Sequence, residues 1–590
     1  MKTFTKVAAV LLMGVGIMSE PSLASEKNAY GIGPGGRPVG EAWSRSPVYA
    51  ENGMAATAHP LASQVAIDVL KQGGSAVDAA IAANAAIGLM EPTGNGIGGD
   101  LFAIVWDPET EQLYGLNASG RSPLGMSYDD LIERLDGADR LPPFGSLPVS
   151  VPGTVDGWFE LHGKFGTLPM EDVLAPAIQY AEDGFPVSPV IGYYFGRNLA
   201  RFEQSLDMID EFDNARETYF KDGAPREGEI FRNPDLGETY RKIAKGGRDA
   251  FYQGEIAQVM DAYMKRIDGT LRYEDFAQHT SEWVEVGCVG YRDGVDICEL
   301  PPNGQGFAAL QMANILKNID LAQWPRGSAE VLHYITEAKR LAFEDVAKFY
   351  ADPDFADIPV EWLLSDDYGR ERFALIDPDK AMTMPKPGEP KLEGEGDTTY
   401  LTVADKNGMM VSLIQSNYRG MGSGLVPDGL GFMLQDRGEL FSLDPDHPNV
   451  YAPGKRPFHT IIPAFLMKDG KPWLSFGLMG GAMQPQGHIQ IMVNLVDYGM
   501  NVQEAGDAAR LNHDGGSTPT GTGADLLGKL NVEAGVPAET VERLKAMGHN
   551  VIVVENGVIF GGYQAIMRDP ETGVYVGATE MRKDGNAIGY

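Results

Sequence analysis

Apolar residues recur at helical spacing from Ala55 to Met90, and the pattern breaks at Gly73 and Gly74. Side chains three and four residues apart share one face of a helix, and paired glycines interrupt helices. The segment therefore predicts two buried helices. A glycine-rich loop, EPTGNGIGG, follows them and leads into the apolar strand pattern DLFAIVWD.

The rest of the chain divides at Thr398. Between residues 150 and 380, helical patterns such as PMEDVLAPAIQYAEDG and SAEVLHYITEAKRLAFEDVAKFY alternate with short strands. Residues 376–397 lack periodicity and carry prolines, glycines and mixed charge, which predicts a mobile segment. After it come the strand patterns TTYLTVAD, MMVSLIQ, FLMK, VIVV and VYVGA, with one helical pattern, HIQIMVNLVDYGM, among them.

The first residues have the form of an export signal. Lysines at positions 2 and 6 precede an apolar run over 7–18, and Ser22 and Ala24 occupy the small positions of a cleavage site. This pattern predicts a signal peptide over 1–24 and a periplasmic or secreted protein. The alternative is an uncleaved anchor, but the apolar run is too short to span a bilayer comfortably.

Composition narrows the partners and the chemistry. The 590 residues include 82 acidic and 48 basic ones, a formal net charge of -34, so the chain should repel nucleic acid and anionic membranes. The only cysteines, Cys288 and Cys298, lie in the hairpin pattern EVGCVGYRDGVDICELPP. They are placed to face each other, as a disulfide or as two buried thiols.

Several familiar sites are excluded. Gly94, Gly96 and Gly99 fit G-x-G-x-x-G, but the predicted order is helix, loop, strand, whereas a dinucleotide site needs strand, loop, helix. There is no G-x-S-x-G, no H-E-x-x-H and no Cys/His pair at zinc spacing. We therefore expect neither cofactor nor metal, and we interpret the scattered histidines, among them His59, His459, His488 and His513, as structural hydrogen-bonding residues.

The sequence GDTT directly follows the predicted mobile segment. A threonine hydroxyl needs a nearby base to act as a nucleophile. An α-amine, with a pKa near 8, serves if Thr398 is the first residue of a chain, which requires cleavage of the Asp397–Thr398 bond. The alternative interpretation of the same sequence is an ordinary strand that begins with two β-branched residues.

A resemblance separates these interpretations. GDTTYLTVAD, GSGLV, PGKRPFHTIIPAF and GLMGGAMQPQGHIQIMVN resemble the small subunit of the gamma-glutamyltransferase family. GMAATAHPLASQVAIDVLKQGGSAVDAAIAAN, EPTGNGIGGDLFAIVWD and VSVPGTVDGW resemble its large subunit. The similarity runs from about residue 50 to the C-terminus in the family's order.

The resemblance implies an α/β protein with the four-layer αββα sandwich of N-terminal-nucleophile hydrolases. It implies a proenzyme that cleaves itself into a large subunit, 25–397, and a small subunit, 398–590, interleaved in one catalytic domain. The expected activity is cleavage or transfer of gamma-glutamyl groups from glutathione and related amides. The acceptor is water, an amino acid or a peptide.

The resemblance also assigns roles. Thr398 is the expected nucleophile of both processing and turnover, and Ser416 is expected to orient it. Gly480 and Gly481 match the glycine pair whose N–H groups form the oxyanion hole. The expected substrate-binding residues are Arg121, Asn417, Tyr418, Glu439, His459 and Thr460.

This chain departs from the family at the amino-acid head group. The family's arginine position holds Ser119, with Arg121 two residues on. Its serine pair is replaced by His459-Thr460, and its amine-binding aspartate by Leu440 beside Glu439. The expected alternatives are an acylase for glutaryl-type or cephalosporin-type donors and an inactive binding homologue.

Overall fold

The structure is a computed structural model that describes residues 45–383, 385, 397–517, 519–521, 526–555 and 557–590. The predicted signal peptide and most of the predicted mobile segment lie outside these residues. Residues 376–382 pack against the rest of the chain, since Ala381 N donates to Met547 O at 2.8 Å and Met382 N to Glu337 Oε2 at 2.9 Å.

Nineteen strands are present in the described ranges. In chain order they are β1 Val48–Ala50, β2 Gly53–Thr57, β3 Asp100–Asp107, β4 Gln112–Ala118, β5 Phe185–Pro186, β6 Ile230–Phe231, β7 Glu282–Val284, β8 Gly287–Gly290, β9 Val295–Glu299, β10 Asp397–Asp405, β11 Met410–Tyr418, β12 Ala464–Lys468, β13 Lys471–Leu478, β14 Leu511–Asp514, β15 Lys529–Glu533, β16 Val551–Val554, β17 Tyr563–Arg568, β18 Tyr575–Thr579 and β19 Asn586–Gly589.

The same ranges contain seventeen α-helices and three short 3₁₀ helices. The α-helices are α1 Pro60–Lys71, α2 Ala76–Met90, α3 Tyr128–Leu135, α4 Thr154–Phe165, α5 Met170–Asp183, α6 Pro189–Gln204, α7 Asp213–Tyr219, α8 Pro234–Tyr252, α9 Glu255–Arg266, α10 Tyr273–Ala277, α11 Gly306–Leu316, α12 Ala329–Phe349, α13 Val360–Leu363, α14 Asp366–Phe373, α15 Met483–Val496, α16 Val502–Asp507 and α17 Ala538–Ala546. The 3₁₀ helices are Leu321–Gln323, Arg437–Leu440 and Val558–Phe560.

Two antiparallel seven-stranded sheets form the centre. One has the order β1-β18-β17-β13-β12-β9-β8 and the other β19-β2-β10-β11-β3-β4-β7. They pack face to face, and α1, α2 and α4 cover the second sheet while α11, α15 and α16 cover the first. Each helix layer buries its own apolar core against its sheet. The expected four-layer αββα sandwich is confirmed.

The periodicity predictions for α1, α2 and β3 are confirmed. The N-cap residue Ser75 accepts from Asp78 N, and the Asp78 carboxylate accepts from Ser75 N, so a capping box begins α2. Every residue of α2 is buried, which explains its alanine-rich, apolar composition. The structure also has the predicted order, in which a glycine loop follows a helix and precedes a strand. This order is the one that excludes a dinucleotide site.

The predicted hairpin around the cysteines is also confirmed. Cys288 in β8 and Cys298 in β9 are direct cross-strand partners and form a disulfide. Among the described helices, none combines the length and apolarity needed to cross a membrane.

Candidate active site

Thr398 lies at the start of β10, in the middle of the second sheet and fully buried. Its neighbour β11 carries an extra residue here, because Asp397 pairs with Tyr418 whereas Thr399 pairs with Gln415. This irregularity brings Thr398 Oγ1 within 3.4 Å of Ser416 Oγ. The contact on which the orienting role of Ser416 depends is therefore present.

The glycine loop before β3 supports the start of β10. Asn95 Nδ2 donates to Thr399 Oγ1 at 3.0 Å, and a Cβ on Gly94 would lie 3.4 Å from Thr398 O. A Cβ on Gly99 would overlap Ser416 O, so only glycine allows this approach. The glycines thus hold the loop against the two strands that carry the hydroxyls.

The packing of the two sheets shows which elements lie level with Thr398. Thr402 Oγ1 and Ser475 Oγ are 2.7 Å apart, and a Cβ on Gly477 would overlap the ring of Tyr400. From the first contact to the second, the residue numbers decrease along β10 and increase along β13. The start of β10 therefore lies at the end of the sandwich where β13 stops.

Gly480 and Gly481 follow the end of β13 and have φ angles of 117° and 57°, which favour glycine. Their carbonyl groups accept from Met483 N at 3.0 Å and from Gln484 N at 3.2 Å, and Gln305 Nε2 also donates to Gly481 O at 2.9 Å. Within the described chain, no acceptor is found for the N–H group of either glycine. The pair therefore lies at the end of the sandwich where β10 starts, and its two N–H groups have no acceptor among the described residues.

Buried polar atoms without a hydrogen-bond partner in the described chain gather beside Ser416. Such groups are nearly always satisfied in folded proteins, so a cluster of them marks a place for a polar ligand. The atoms are Asn417 Oδ1, Tyr418 OH, Asp436 Oδ2, Arg437 Nε and Nη2, and His459 Nδ1. Tyr418 also has a positive φ of 79°, a strained conformation of the kind that clusters at functional sites.

Arg437 is the cation of this cluster and is fully buried in a 3₁₀ turn. Its Nη1 donates to Thr460 Oγ1 at 2.8 Å, and its guanidinium lies 4.5 Å from the centroid of the Tyr418 ring. Burial lowers the pKa of Arg437 to about 10, so it remains charged at neutral pH.

Asp100, the first residue of β3, lies opposite Ser416 in the sheet and links the two parts of the site. Its Oδ1 accepts from Gly120 N and Gln435 Nε2, both at 2.9 Å. Its Oδ2 lies 2.9 Å from His459 Nε2. Burial, with a contribution from Arg437, lowers the pKa of His459 to about 4. His459 is therefore a neutral ring whose proton faces Asp100.

Glu439 is already paired. Arg419 Nη2 donates to Glu439 Oε1 at 2.6 Å, and Arg419 Nε contacts Glu439 Oε2. Leu440 is buried in the apolar core beside it. Burial and the nearby Glu439 raise the pKa of Asp436 to about 8, which favours a protonated carboxyl at neutral pH. Among the described residues, the carboxyl oxygen of this pocket that lacks a hydrogen-bond partner is therefore Asp436 Oδ2, and it belongs to a group favoured in its neutral form.

Arg121 makes a different set of contacts. Its guanidinium pairs with Glu282 at 3.1 Å, Asp352 at 3.3 Å and Asp354 at 2.9 Å, and its side chain is 25% exposed. Nη1 also donates to Gly454 O at 3.2 Å. Three carboxylates already surround this cation.

The remaining predicted residue and the other histidines are also located. Asn417 Nδ2 lies 3.5 Å from Met433 O, and Asn417 N donates to Gly94 O at 3.3 Å. His59 caps α1, His488 contacts Glu299 Oε1 at 2.6 Å and His513 contacts Leu527 O at 2.9 Å. These three contacts agree with the structural roles predicted for them.

One further cluster has metal-ligating residue types. Ligand atoms of His333, Glu337 and His549 lie within 4.8 Å of one another in the interior. The two rings are hydrogen-bonded to each other at 2.8 Å, and the Glu337 oxygens accept from Arg340 at 2.7 Å and Met382 N at 2.9 Å. Hydrogen bonding explains the cluster without an ion.

Sequence reasoning missed Asp100, Asp436 and Arg437. Asp100 is the first residue of the apolar strand pattern DLFAIVWD and has no predicted role, and the other two lie in a turn without periodicity. The available signal was a charged residue within an otherwise apolar segment, as in GGDLFAIV.

Two facing antiparallel sheets between helix layers, with a buried threonine at the start of a central strand, define the class of N-terminal-nucleophile hydrolases. A sequence profile of the gamma-glutamyltranspeptidase family matches residues 62–590. The chain belongs to that family, and the protein is an enzyme of it.

Relatives within the family differ in activity. The glutathione hydrolase-like YwrD proenzyme of Bacillus subtilis is 35% identical, over 91% of this chain and 98% of its own. The oxamate amidohydrolase proenzyme of Klebsiella pneumoniae is 33% identical, over 91% and 98%. The solved cephalosporin acylase of Bacillus halodurans is 42% identical with a TM-score of 0.85, over 92% of this chain and 97% of that one.

Proposed function

We propose that the protein is a self-processing amide hydrolase or acyltransferase whose nucleophile is Thr398 Oγ1. Once the predicted signal peptide over 1–24 is removed, cleavage of the Asp397–Thr398 bond divides the chain into 25–397 and 398–590 and frees the α-amine of Thr398. That amine, with an ordinary pKa near 8, then serves as the base for its own hydroxyl. The support is the burial of Thr398 and its contact with Ser416 Oγ.

The acyl transfer needs a stabilised oxyanion. Attack of Oγ1 on the donor carbonyl gives a tetrahedral intermediate, whose collapse expels the amine and leaves an ester on Thr398. Water or an amino group then attacks the ester and regenerates the enzyme. In this proposal, Gly480 and Gly481 donate their N–H groups to the oxyanion, and such donors typically contribute about 10²–10³ in rate.

Arg437 determines the class of donor in this proposal. Asp100 offsets part of the charge of this fully buried guanidinium, but Nε and Nη2 lack hydrogen-bond partners in the described chain, which favours an anionic ligand because incomplete pairing of a buried charge is costly. A carboxylate at the end of the acyl group supplies the partner, and the planar guanidinium suits it. The observation that carries the proposal is the buried, incompletely bonded Arg437, which packs on the ring of Tyr418, two residues from Ser416.

Between the two arginines considered, contacts favour Arg437 over Arg121. Arg121 is partly exposed and already neutralised by three carboxylates, so a substrate carboxylate gains little there. The substrate role that sequence reasoning gave to Arg121 stays a prediction, and the two variants can be compared directly.

The head group separates two candidate donors. Membership in the family suggests gamma-glutamyl compounds such as glutathione, whose donor carries an ammonium beside the carboxylate. Here Leu440 replaces the family's amine-binding aspartate, and Glu439 is held by Arg419. An ammonium placed there finds Glu439 already paired and Asp436 favoured in its neutral form. We therefore propose a carboxylate-terminated, glutaryl-type donor, with any preference for gamma-glutamyl donors weakened.

The test is the ratio of kcat/KM for matched glutaryl and gamma-glutamyl anilides on purified, processed enzyme. We expect a ratio of one or more in favour of the glutaryl anilide. A strong preference for the gamma-glutamyl anilide would overturn the proposed donor and leave the amidase chemistry standing. Hydrolysis of neither anilide by a processed enzyme would overturn the carboxylate-terminated class as a whole.

A further inference from the structure

The contact between Asp100 and His459 fixes which ring nitrogen of His459 carries the proton. Asp100 accepts hydrogen bonds from a backbone N–H and a glutamine amide on Oδ1, so Oδ2 is left to accept from His459 Nε2 at 2.9 Å. His459 Nδ1 is then a lone pair. It is buried, and no partner is found for it in the described chain.

Arg437 supplies the complementary group. Its Nε and Nη2 are buried donors without acceptors among the described residues, while its Nη1 is bonded to Thr460, the residue after His459. The pocket therefore offers the unpaired donors of Arg437 and, among its unpaired acceptors, the lone pair of His459 Nδ1. A carboxylate satisfies the donors but, having no proton, leaves Nδ1 facing an oxygen lone pair.

We propose that Arg437 and the Asp100–His459 pair form one head-group subsite that binds a carboxylate together with one proton, held between the carboxylate and His459 Nδ1. The proton comes from solvent and completes a chain of hydrogen bonds from the ligand through His459 to Asp100. This inference rests on the proposed function, since it concerns the acyl group whose amide Thr398 attacks.

The surroundings of His459 set the direction of the linkage. The charged groups that face it are Asp100 on β3 and Arg437 on the 3₁₀ turn, while Phe102 packs on its ring at 4.8 Å. In the free site, burial and the Arg437 charge hold the pKa of His459 near 4. A bound carboxylate neutralises Arg437 and adds an anion beside Nδ1, so the pKa of His459 rises on binding.

The sign of the pH dependence follows. Between the free pKa near 4 and the higher pKa of the complex, binding takes up a proton, so carboxylate affinity falls about tenfold per pH unit as pH rises. Above the pKa of the complex, the uptake disappears. An α-amino acid brings a proton of its own: its ammonium can donate to neutral Nδ1 without a proton from solvent, but it finds no free counter-ion, because Arg419 already holds Glu439.

The experiment is calorimetric titration of processed wild-type enzyme with glutarate and, separately, with L-glutamate. Both are hydrolysis products, so no turnover interferes. Measurements at pH 7 and at lower pH in buffers of different ionisation enthalpy give the number of protons taken up. We expect proton uptake with glutarate, approaching one per site as pH falls toward the pKa of the complex, and about none with glutamate. Glutarate binding without proton uptake overturns this inference but leaves the proposed donor class intact.

Asp100→Asn is the sharper variant. The amide that this substitution introduces would donate to His459 Nε2 and shift the ring proton to Nδ1, which then binds a carboxylate without solvent protons. The proton uptake that accompanies glutarate binding is expected to fall to about none, and KM for the glutaryl anilide should depend less on pH. A merely structural role for Asp100 would leave the uptake unchanged, so an unchanged uptake would contradict its positioning role.

The wild-type comparison keeps the inference testable if Asp100→Asn does not fold. His459→Gln supplies a second variant, because its amide can donate to a carboxylate without a titrating group. Proton uptake should again vanish. If processed wild-type enzyme binds neither glutarate nor glutamate, the proposed donor class itself fails, a result distinct from failure of the proton linkage.

Discussion

Replacement of Arg437 by methionine separates substrate binding from folding. The side chain keeps a similar volume but loses its charge. In the complex, Arg437 is the buried partner of the substrate carboxylate, and removal of one partner of a buried pair costs about 3–5 kcal/mol. We therefore expect kcat/KM for the glutaryl anilide to fall by about 10²–10⁴-fold.

In the absence of substrate, Arg437→Met should change the stability of the enzyme only slightly. Arg437 donates one hydrogen bond, to Thr460, and leaves two nitrogens unpaired in the described chain. Loss of that bond costs about 1 kcal/mol, and removal of an incompletely satisfied buried cation offsets it. The free energy of unfolding, measured by urea titration, should therefore change by no more than about 1–2 kcal/mol.

Arg121→Met is the matched control. It breaks three ion pairs and leaves buried Asp352 with fewer partners, so it should lower stability while kcat/KM changes less than that of Arg437→Met. Processing of both variants is checked first, by electrophoresis. The reasoning is refuted if Arg437→Met keeps kcat/KM within about tenfold of wild type while Arg121→Met loses it, because Arg121 would then be the carboxylate partner.

The remaining predictions concern specificity, the disulfide and the nucleophile. Leu440→Asp should shift the ratio of kcat/KM for the two anilides toward the gamma-glutamyl anilide by about 1–3 kcal/mol. An unchanged ratio would contradict the proposal that Leu440 lies where the substrate ammonium would bind. Replacement of Cys288 and Cys298 by serine should lower the free energy of unfolding by about 2–3 kcal/mol in denaturant titrations with processing retained, whereas no change would show that the cross-link adds no stability. Thr398→Ser should still process, since a hydroxyl remains, and an uncut serine variant would argue against a hydroxyl nucleophile.

Local pattern was sufficient for much of the fold. The helices α1 and α2 and the strand β3 follow from apolar spacing and paired glycines, because these elements are set by short-range periodicity. Short-range periodicity does not predict that the two sheets pack face to face. Contacts such as Thr402 with Ser475 join residues that periodicity treats as independent.

The candidate site divides in the same way. Thr398, Ser416 and the glycine pair could be proposed because they lie in recognisable motifs. The ion pairs of Arg121 could not be predicted, because the carboxylates that neutralise it come from segments far from it in sequence. Asp100 and Arg437 gain their meaning only through His459 and Thr460, which tertiary packing brings to them.

The proposed mechanism requires Thr398 to become the first residue of a separate chain. Intact-mass spectrometry of the purified, denatured wild-type protein shows whether it does. We expect two chains, the smaller with the mass of residues 398–590. A single uncut chain that hydrolyses the glutaryl or gamma-glutamyl anilide would contradict it, because Thr398 would then act without a free α-amine.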